Sequence, residues 1–166
     1  MKFTGKVWRF PANINTDLIL PMKVYYEEPV VQARHVFGAN RPGWVDEIAP
    51  GDIIIAERNF GMGSSRPAAR SLKLLGLGCL LADSINGLFY RNCINFGFPA
   101  LECPGVSEMF CEGDTAEADF DTGRVTNLSS NTATDAVAVP DSLRRVLEMG
   151  GIYPLLEAEG KIAPLG

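Results

Sequence analysis

Residues 3–10, Phe-Thr-Gly-Lys-Val-Trp-Arg-Phe, alternate apolar and polar positions, and this period of two predicts a strand. A polar loop follows from Pro11 to Asp17, then a short apolar run, Leu18-Ile19-Leu20, closed by Pro21. Residues 30–37 read as a short helix carrying His35. Asp52-Ile53-Ile54-Ile55-Ala56-Glu57 reads as a buried strand after the turn Pro50-Gly51. A glycine-serine loop, Arg58 to Pro67, leads into a helix expected to start at Pro67, because proline suits the first helical position. Ala68, Ala69, Leu72 and Leu75 give that helix its apolar stripe, and Gly76 its stop. Cys79–Ala82 is the next expected strand, Ile85–Asn95 a second helix, and Pro99–Glu102 a third strand. Residues 52–102 therefore predict β-α-β-α-β, the pattern of an α/β fold with a parallel sheet and right-handed crossovers.

Beyond residue 102 the rhythm changes. Thr115–Phe120 and Arg124–Leu128 alternate around Asp121-Thr122-Gly123 and read as a hairpin. Pro140-Asp141-Ser142-Leu143 opens a helix with apolar Leu143, Val146 and Leu147, stopped by Gly150-Gly151. Residues 152–166 read as a short helix and an extended end.

Composition narrows the function classes. The 166 residues carry 46% apolar and 21% charged side chains, which predicts one globular domain spanning residues 1–166 rather than a disordered chain. Fifteen basic against twenty acidic residues give a net charge of −5, which disfavours a nucleic-acid-binding module. No apolar run reaches the length of a membrane span, and the N-terminus leads into no signal-peptide core, so the expected location is the cytoplasm. His35 is the single histidine, which excludes a multi-histidine metal site or a histidine relay within the chain. Cys79, Cys93, Cys103 and Cys111 form no C-x-x-C pair and read as thiols in a reducing compartment. No metal ligand is expected in this chain. Charge is uneven: Arg58, Arg66, Arg70, Lys73 and Arg91 face a single acid, Asp83, between residues 58 and 91, whereas residues 102–121 hold seven acids and no base.

The local basic excess coincides with the loop best suited to anions. A glycine-rich turn between strand and helix exposes backbone N–H groups at the positive end of the helix dipole. Gly61 and Gly63 allow close approach, Ser64 and Ser65 add hydroxyls, and Arg66 adds a fork for a carboxylate. Helix capping by the two serines is the alternative reading. The spacing is neither that of a Walker loop nor that of a dinucleotide fingerprint, and no G-x-S-x-G elbow is present.

Three ordered stretches carry a resemblance. Asn59-Phe60-Gly61-Met62-Gly63-Ser64-Ser65-Arg66 resembles the N-F-G-x-G-S-S-R motif of aconitase-type swivel domains, in particular the small subunits of 3-isopropylmalate dehydratases and archaeal homoaconitases. Asn13-Ile14-Asn15-Thr16-Asp17 with Leu20-Pro21 resembles that family's T-D segment. Phe89-Tyr90-Arg91-Asn92 with Asn95, Gly97 and Pro99 resembles its F-x-R-N segment. The resemblance covers residues 13–102. It implies a three-layer β/β/α swivelling domain of the aconitase C-terminal type. It also implies an obligate large subunit that carries a [4Fe–4S] cluster, so that this chain binds no cofactor itself. By the same resemblance Ser64 is the general base, Ser65 and Arg66 hold substrate carboxylates, and Asp17 positions groups at the domain interface.

The chain also departs from the family. Pro67-Ala68 stand where Glu-His usually follow Arg66, and Met62 replaces the usual cysteine or glutamate. The loop that reads the variable end of the substrate is here Val24-Tyr25-Tyr26-Glu27, without the arginine of homoaconitase-like members. Tyr25 and Tyr26 read either as substrate contacts or as core and interface anchors. Lys23 can add charge there. Arg41 reads either as a second substrate arginine or as a surface residue. The leading expectation is a hydro-lyase small subunit acting on a hydroxy di- or tricarboxylic acid of isopropylmalate, dimethylmalate or homoaconitate type. The expectations from other classes are a non-catalytic swivel module binding an anion or a partner, and a serine hydrolase.

Overall fold

The computed structural model describes residues 1–164. Its first strand, β1 (Lys2–Phe10), is nine residues long and belongs to two kinds of sheet at once. A single helical turn, α1 (Thr16–Ile19), follows, and then two short helices, α2 (Pro29–Ala33) and α3 (Trp44–Glu47). The expected crossover unit comes next: β2 (Ile53–Ala56), α4 (Ala68–Leu74), β3 (Cys79–Ala82), α5 (Gly87–Phe96) and β4 (Ala100–Glu102). After α6 (Val106–Met109) come β5 (Thr115–Asp119), β6 (Arg124–Asn127) and β7 (Thr132–Asp135), and the chain closes with α7 (Asp141–Glu148) and α8 (Ile152–Ala158).

The seven strands form one sheet in the order β4-β3-β2-β1-β5-β6-β7. The second half of β1, Val7 to Phe10, runs parallel to Ile53–Ala56 of β2. The first half, Lys2 to Lys6, runs antiparallel to β5. Parallel strands buried on both faces need continuous apolar runs, and Ile53-Ile54-Ile55-Ala56 and Cys79-Leu80-Leu81-Ala82 are buried throughout. Their alternate residues feed two cores. Trp8, Ile54, Leu80 and Ala82 join Phe37, Trp44, Leu72 and Phe89 on the side of α2–α5. Val7, Ile53, Ile55 and Leu81 join Ala116, Ala118 and Val125 of the antiparallel strands, with α6 and α7. Helices α2–α5 therefore cover one face of the parallel strands, and the antiparallel strands with α6 and α7 the other, in keeping with the β/β/α layering that the resemblance implies.

Several boundaries differ from expectation. The helix expected over 30–37 stops at Ala33, and His35 lies in the turn beyond it. The chain must turn there to seat Phe37, which takes a positive φ of 55° and stacks on Phe10 at 4.1 Å. The 18–20 run is mostly the helical turn α1, capped by the Asn15 side chain accepting from the Leu18 N–H at 2.9 Å. Pro67 is not the first residue of α4 but its cap, because its ψ of 37° is not helical. α5 begins at Gly87 rather than Ile85, since Ile85 bridges to Phe60 and Asn86 caps the helix. Strand β7 was not foreseen: Thr132-Ala133-Thr134-Asp135 is a largely exposed edge without an apolar face. The extended end expected at the C-terminus falls partly on residues 165–166, outside the described residues.

Candidate functional site

The parallel strands β1, β2 and β3 end side by side, and open parallel sheets bind ligands beyond the carboxyl ends of their strands. The three loops leaving those ends are laced together by main-chain bonds. The Asn13 N–H donates to the Arg58 carbonyl at 2.9 Å, and the Gly61 and Met62 N–H groups share the Ile14 carbonyl at 2.7 and 3.2 Å. Thr16 N–H donates to the Met62 carbonyl at 2.7 Å. Phe60 N–H donates to the Ser84 carbonyl at 3.1 Å, and Asn86 N–H to the Phe60 carbonyl at 2.8 Å. Asn13 and Asn59 both take left-handed backbone conformations, φ 61° and 60°, and their side chains bond each other at 2.9 Å. Gly61 has φ +81°, and a Cβ there would sit 2.2 Å from Cγ of Phe89 in α5. Glycine is obligatory at that point, and it brings the first, second and third sequence motifs into one site.

Met62, Gly63, Ser64 and Ser65 are exposed at the crest of this lacework. The Arg66 N–H is already committed to the Ser64 carbonyl at 2.9 Å, as are those of Gly61 and Met62 to Ile14. Among the described residues the N–H groups of Gly63, Ser64 and Ser65 have no protein acceptor, so these three remain for an anion. Arg66 is the hub. Its Nε donates to Ser64 Oγ at 3.1 Å, its Nη1 to the Leu20 carbonyl at 3.0 Å, and its Nη2 pairs with Asp17. Its side chain is only 12% exposed, whereas Asp17 is 63% exposed, so the guanidinium is the fixed member of the pair. Asn92 of α5 reaches the Arg66 carbonyl at 3.4 Å.

Beside the turn lies a cleft of about 330 Å³. Ser65, Arg66, Tyr25 and Asn92 line it, together with Arg70 and Phe96, which sequence reasoning did not select. Arg70 follows Arg66 by four positions. Arg66 lies before the helix, so the available signal was not helical spacing but the place of Arg70 in the first turn of α4, within the basic excess of residues 58–91. Tyr25 thus reaches the cleft, but Tyr26 is 88% exposed, and its ring meets that of Tyr25 edge-on at 5.1 Å. Lys23 lies on a separate hollow with His35. The structure does not bring Arg41 to the cleft. Arg41 pairs with Glu112, donates to the Arg9 carbonyl at 3.2 Å and lies over Trp8.

Burial pushes the Cys79 and Cys93 thiols far up, and that of Cys103 to about 11, so these three stay protonated at neutral pH. Among the described residues no three His, Cys, Asp or Glu side chains converge in a group that could hold a metal ion. No helix among them is long and apolar enough to cross a membrane.

Residues 13–105 match the family model of the aconitase C-terminal domain. The isopropylmalate/citramalate isomerase small subunit of Methanocaldococcus jannaschii is 40% identical over 155 residues, 92% of either chain. The 3-isopropylmalate dehydratase small subunit of Heliobacterium modesticaldum is 36% identical over 97% of this chain and 100% of its own length. The 2,3-dimethylmalate dehydratase small subunit of Eubacterium barkeri matches at the same identity and coverage. The crystal structure of 3-isopropylmalate dehydratase from Methanocaldococcus jannaschii superposes with a TM-score of 0.90 at 28% identity, over 96% of each chain.

Proposed function

We infer what this chain does from one premise: it belongs to the aconitase C-terminal domain family. Its relatives over nearly the full length are small subunits of hydro-lyases. The chain is accordingly the small subunit of a heteromeric hydro-lyase of 3-isopropylmalate dehydratase type, working as one swivelling domain in the cytoplasm. A 2,3-dimethylmalate-type substrate is the second reading, favoured by the relative from Eubacterium barkeri, which matches as well as the isopropylmalate enzyme from Heliobacterium.

The observation that carries the catalytic assignment is the 3.1 Å bond from Arg66 Nε to Ser64 Oγ. A serine without a histidine is a poor base at neutral pH. A guanidinium donating to its oxygen stabilises the alkoxide, as do uncommitted amides on the same turn. Ser64 Oγ then takes the proton from the carbon beside a substrate carboxylate. The C–H electron pair becomes the double bond as the hydroxyl leaves the neighbouring carbon, and the serine returns the proton on rehydration. Ser65 and the free amides orient the carboxylate. The Leu20 carbonyl, accepting from Nη1, anchors Arg66 beside the serine, and the exposed Asp17 pairs with its outer edge. A [4Fe–4S] cluster held by the large subunit would supply Lewis-acid chemistry for the departing hydroxyl; among the described residues of this chain no ligand set fits that group.

The test is reconstitution. The isolated chain is expected to bind no iron and to turn over neither 3-isopropylmalate nor 2,3-dimethylmalate. Mixing it with a cluster-bearing large subunit should produce turnover. Turnover by the purified chain alone, or its absence from the reconstituted complex on both acids, refutes the reading.

A further inference from the structure

The cleft beside the catalytic turn holds a second arginine whose charge nothing answers. Arg66 already faces Asp17, Ser64 and the Leu20 carbonyl. Arg70, in the first turn of α4, has no carboxylate within ion-pair distance among the described residues. Among the described residues its one side-chain hydrogen bond is from Nη2 to Gln32 Oε1 at 3.0 Å, and its Nε is buried without a partner. A guanidinium carries five N–H donors in a rigid plane. Arg70 therefore offers unspent donors and a full charge to the cleft it lines.

This arginine is also held still. Gln32 is 2% exposed, and its own amide nitrogen donates to the Tyr25 and Glu27 carbonyls at 2.7 and 3.0 Å. One amide side chain thus ties the Tyr25 loop to the arginine. On its other side the guanidinium carbon lies 5.8 Å from the centroid of the Phe96 ring, which limits its swing. An ordinary bracing contact between α2 and α4 would need no charge, and the half-buried guanidinium keeps its Nε, itself shut off from solvent, without an acceptor. An anion arriving from solvent removes that cost, and a planar fork matches a carboxylate bidentately.

We propose that Arg70, oriented by Gln32 and Phe96, binds a second carboxylate of the substrate, separate from the one held at the Ser64–Arg66 turn. This rests on the hydro-lyase reading above and assigns a residue to the second carboxylate that such a substrate carries. Arg70 touches the substrate but not the proton in flight. Its loss should weaken binding and leave the chemical step.

The experiment is steady-state kinetics of the reconstituted complex with 3-isopropylmalate and with 2,3-dimethylmalate, using the parental chain, Arg70→Ala and Arg70→Lys. Arg70→Ala is expected to raise KM at least tenfold with kcat within threefold. Arg70→Lys should recover part of the loss, since a point charge remains. Melting temperatures of the small subunits separate binding from bracing. A KM within twofold of the parent for Arg70→Ala overturns the inference while the parental activity leaves the hydro-lyase reading intact. A parallel fall of kcat and melting temperature with unchanged KM also overturns it, assigning Arg70 to structure. Absence of turnover by the parental complex on both acids removes the hydro-lyase reading and this inference with it.

Discussion

Replacing Arg66 by lysine keeps the charge and removes the geometry. In the native chain three nitrogens of one guanidinium serve three acceptors: Ser64 Oγ, the Leu20 carbonyl and Asp17. A lysine ammonium on a flexible stem reaches Asp17, but it cannot also supply a donor in the plane of the serine oxygen. The lost bond to Ser64 is charge-assisted, worth about 1.5–3 kcal/mol. If that bond stabilises the alkoxide, its loss appears in the chemical step as a roughly tenfold to 150-fold fall in kcat/KM. Stability should respond far less. The solvent-screened pair with Asp17, 63% exposed, is kept, and what the fold loses is the bond to the Leu20 carbonyl, about 1 kcal/mol. For a chain of this size that corresponds to about 2–4 °C in melting temperature. The assay is kcat/KM of the reconstituted complex beside a thermal melt of the small subunit. An Arg66→Lys variant within twofold of parental kcat/KM would show that the guanidinium geometry does nothing for Ser64.

Ser64→Ala should lower kcat by roughly 10²–10⁴, the usual worth of a positioned base, while Ser65→Ala should act mainly on KM; near-parental kcat for Ser64→Ala moves the base to the large subunit. Gly61→Ala meets both a positive φ and the Phe89 ring at 2.2 Å, whereas Gly113→Ala meets a positive φ of 89° and open space. The backbone strain alone costs about 1–3 kcal/mol, so Gly61→Ala should lower the melting temperature clearly more than Gly113→Ala; equal losses would mean that Phe89 yields freely. Glu112 is held below the usual carboxylate range, chiefly by the hydrogen bond from Arg41. Its stabilisation is present above the unfolded value near ~4.3 and fades as pH falls through the lower folded value. Arg41→Ala should therefore destabilise by up to about 1 kcal/mol at pH 7. The pH-dependent part of that gap should close on acidification below about pH 4, read by urea titration; a gap that widens in acid contradicts the pairing.

Where local pattern and local chemistry agree, the sequence was a good guide. The buried runs of β2 and β3 cannot face water on either side, and the glycine-serine loop between β2 and α4 sits where such loops bind anions. The three motifs were visible one by one because each carries its own punctuation of Asn, Gly and Pro. Their assembly was not, since Asn59 meets Asn13 across 46 positions and Gly61 meets Phe89 only through packing. The two readings of Arg41 stayed open for a related reason: its acceptor, Glu112, is 71 positions away in a run noted only for its seven acids. Arg70 was counted among the local basic residues without a role, because what distinguishes it is Gln32, contributed by a helix 38 positions earlier. Strand β7 escaped because an exposed edge strand has no apolar face to betray it.

The lacing of the loops beyond β1, β2 and β3 bears on timing. A catalytic loop that orders only when substrate arrives gives up about 1–2 kcal/mol of backbone entropy per residue at that moment. Here the stretch from Asn59 to Met62 is tied on both sides, to Ile14 and Thr16 and to Ser84 and Asn86, before any ligand is present. That entropy is surrendered once, during folding, and is not charged again at each turnover. The crest that carries Ser64 therefore rises from a stem that is already ordered, and only the few residues from Gly63 to Ser65 have backbone freedom left to lose.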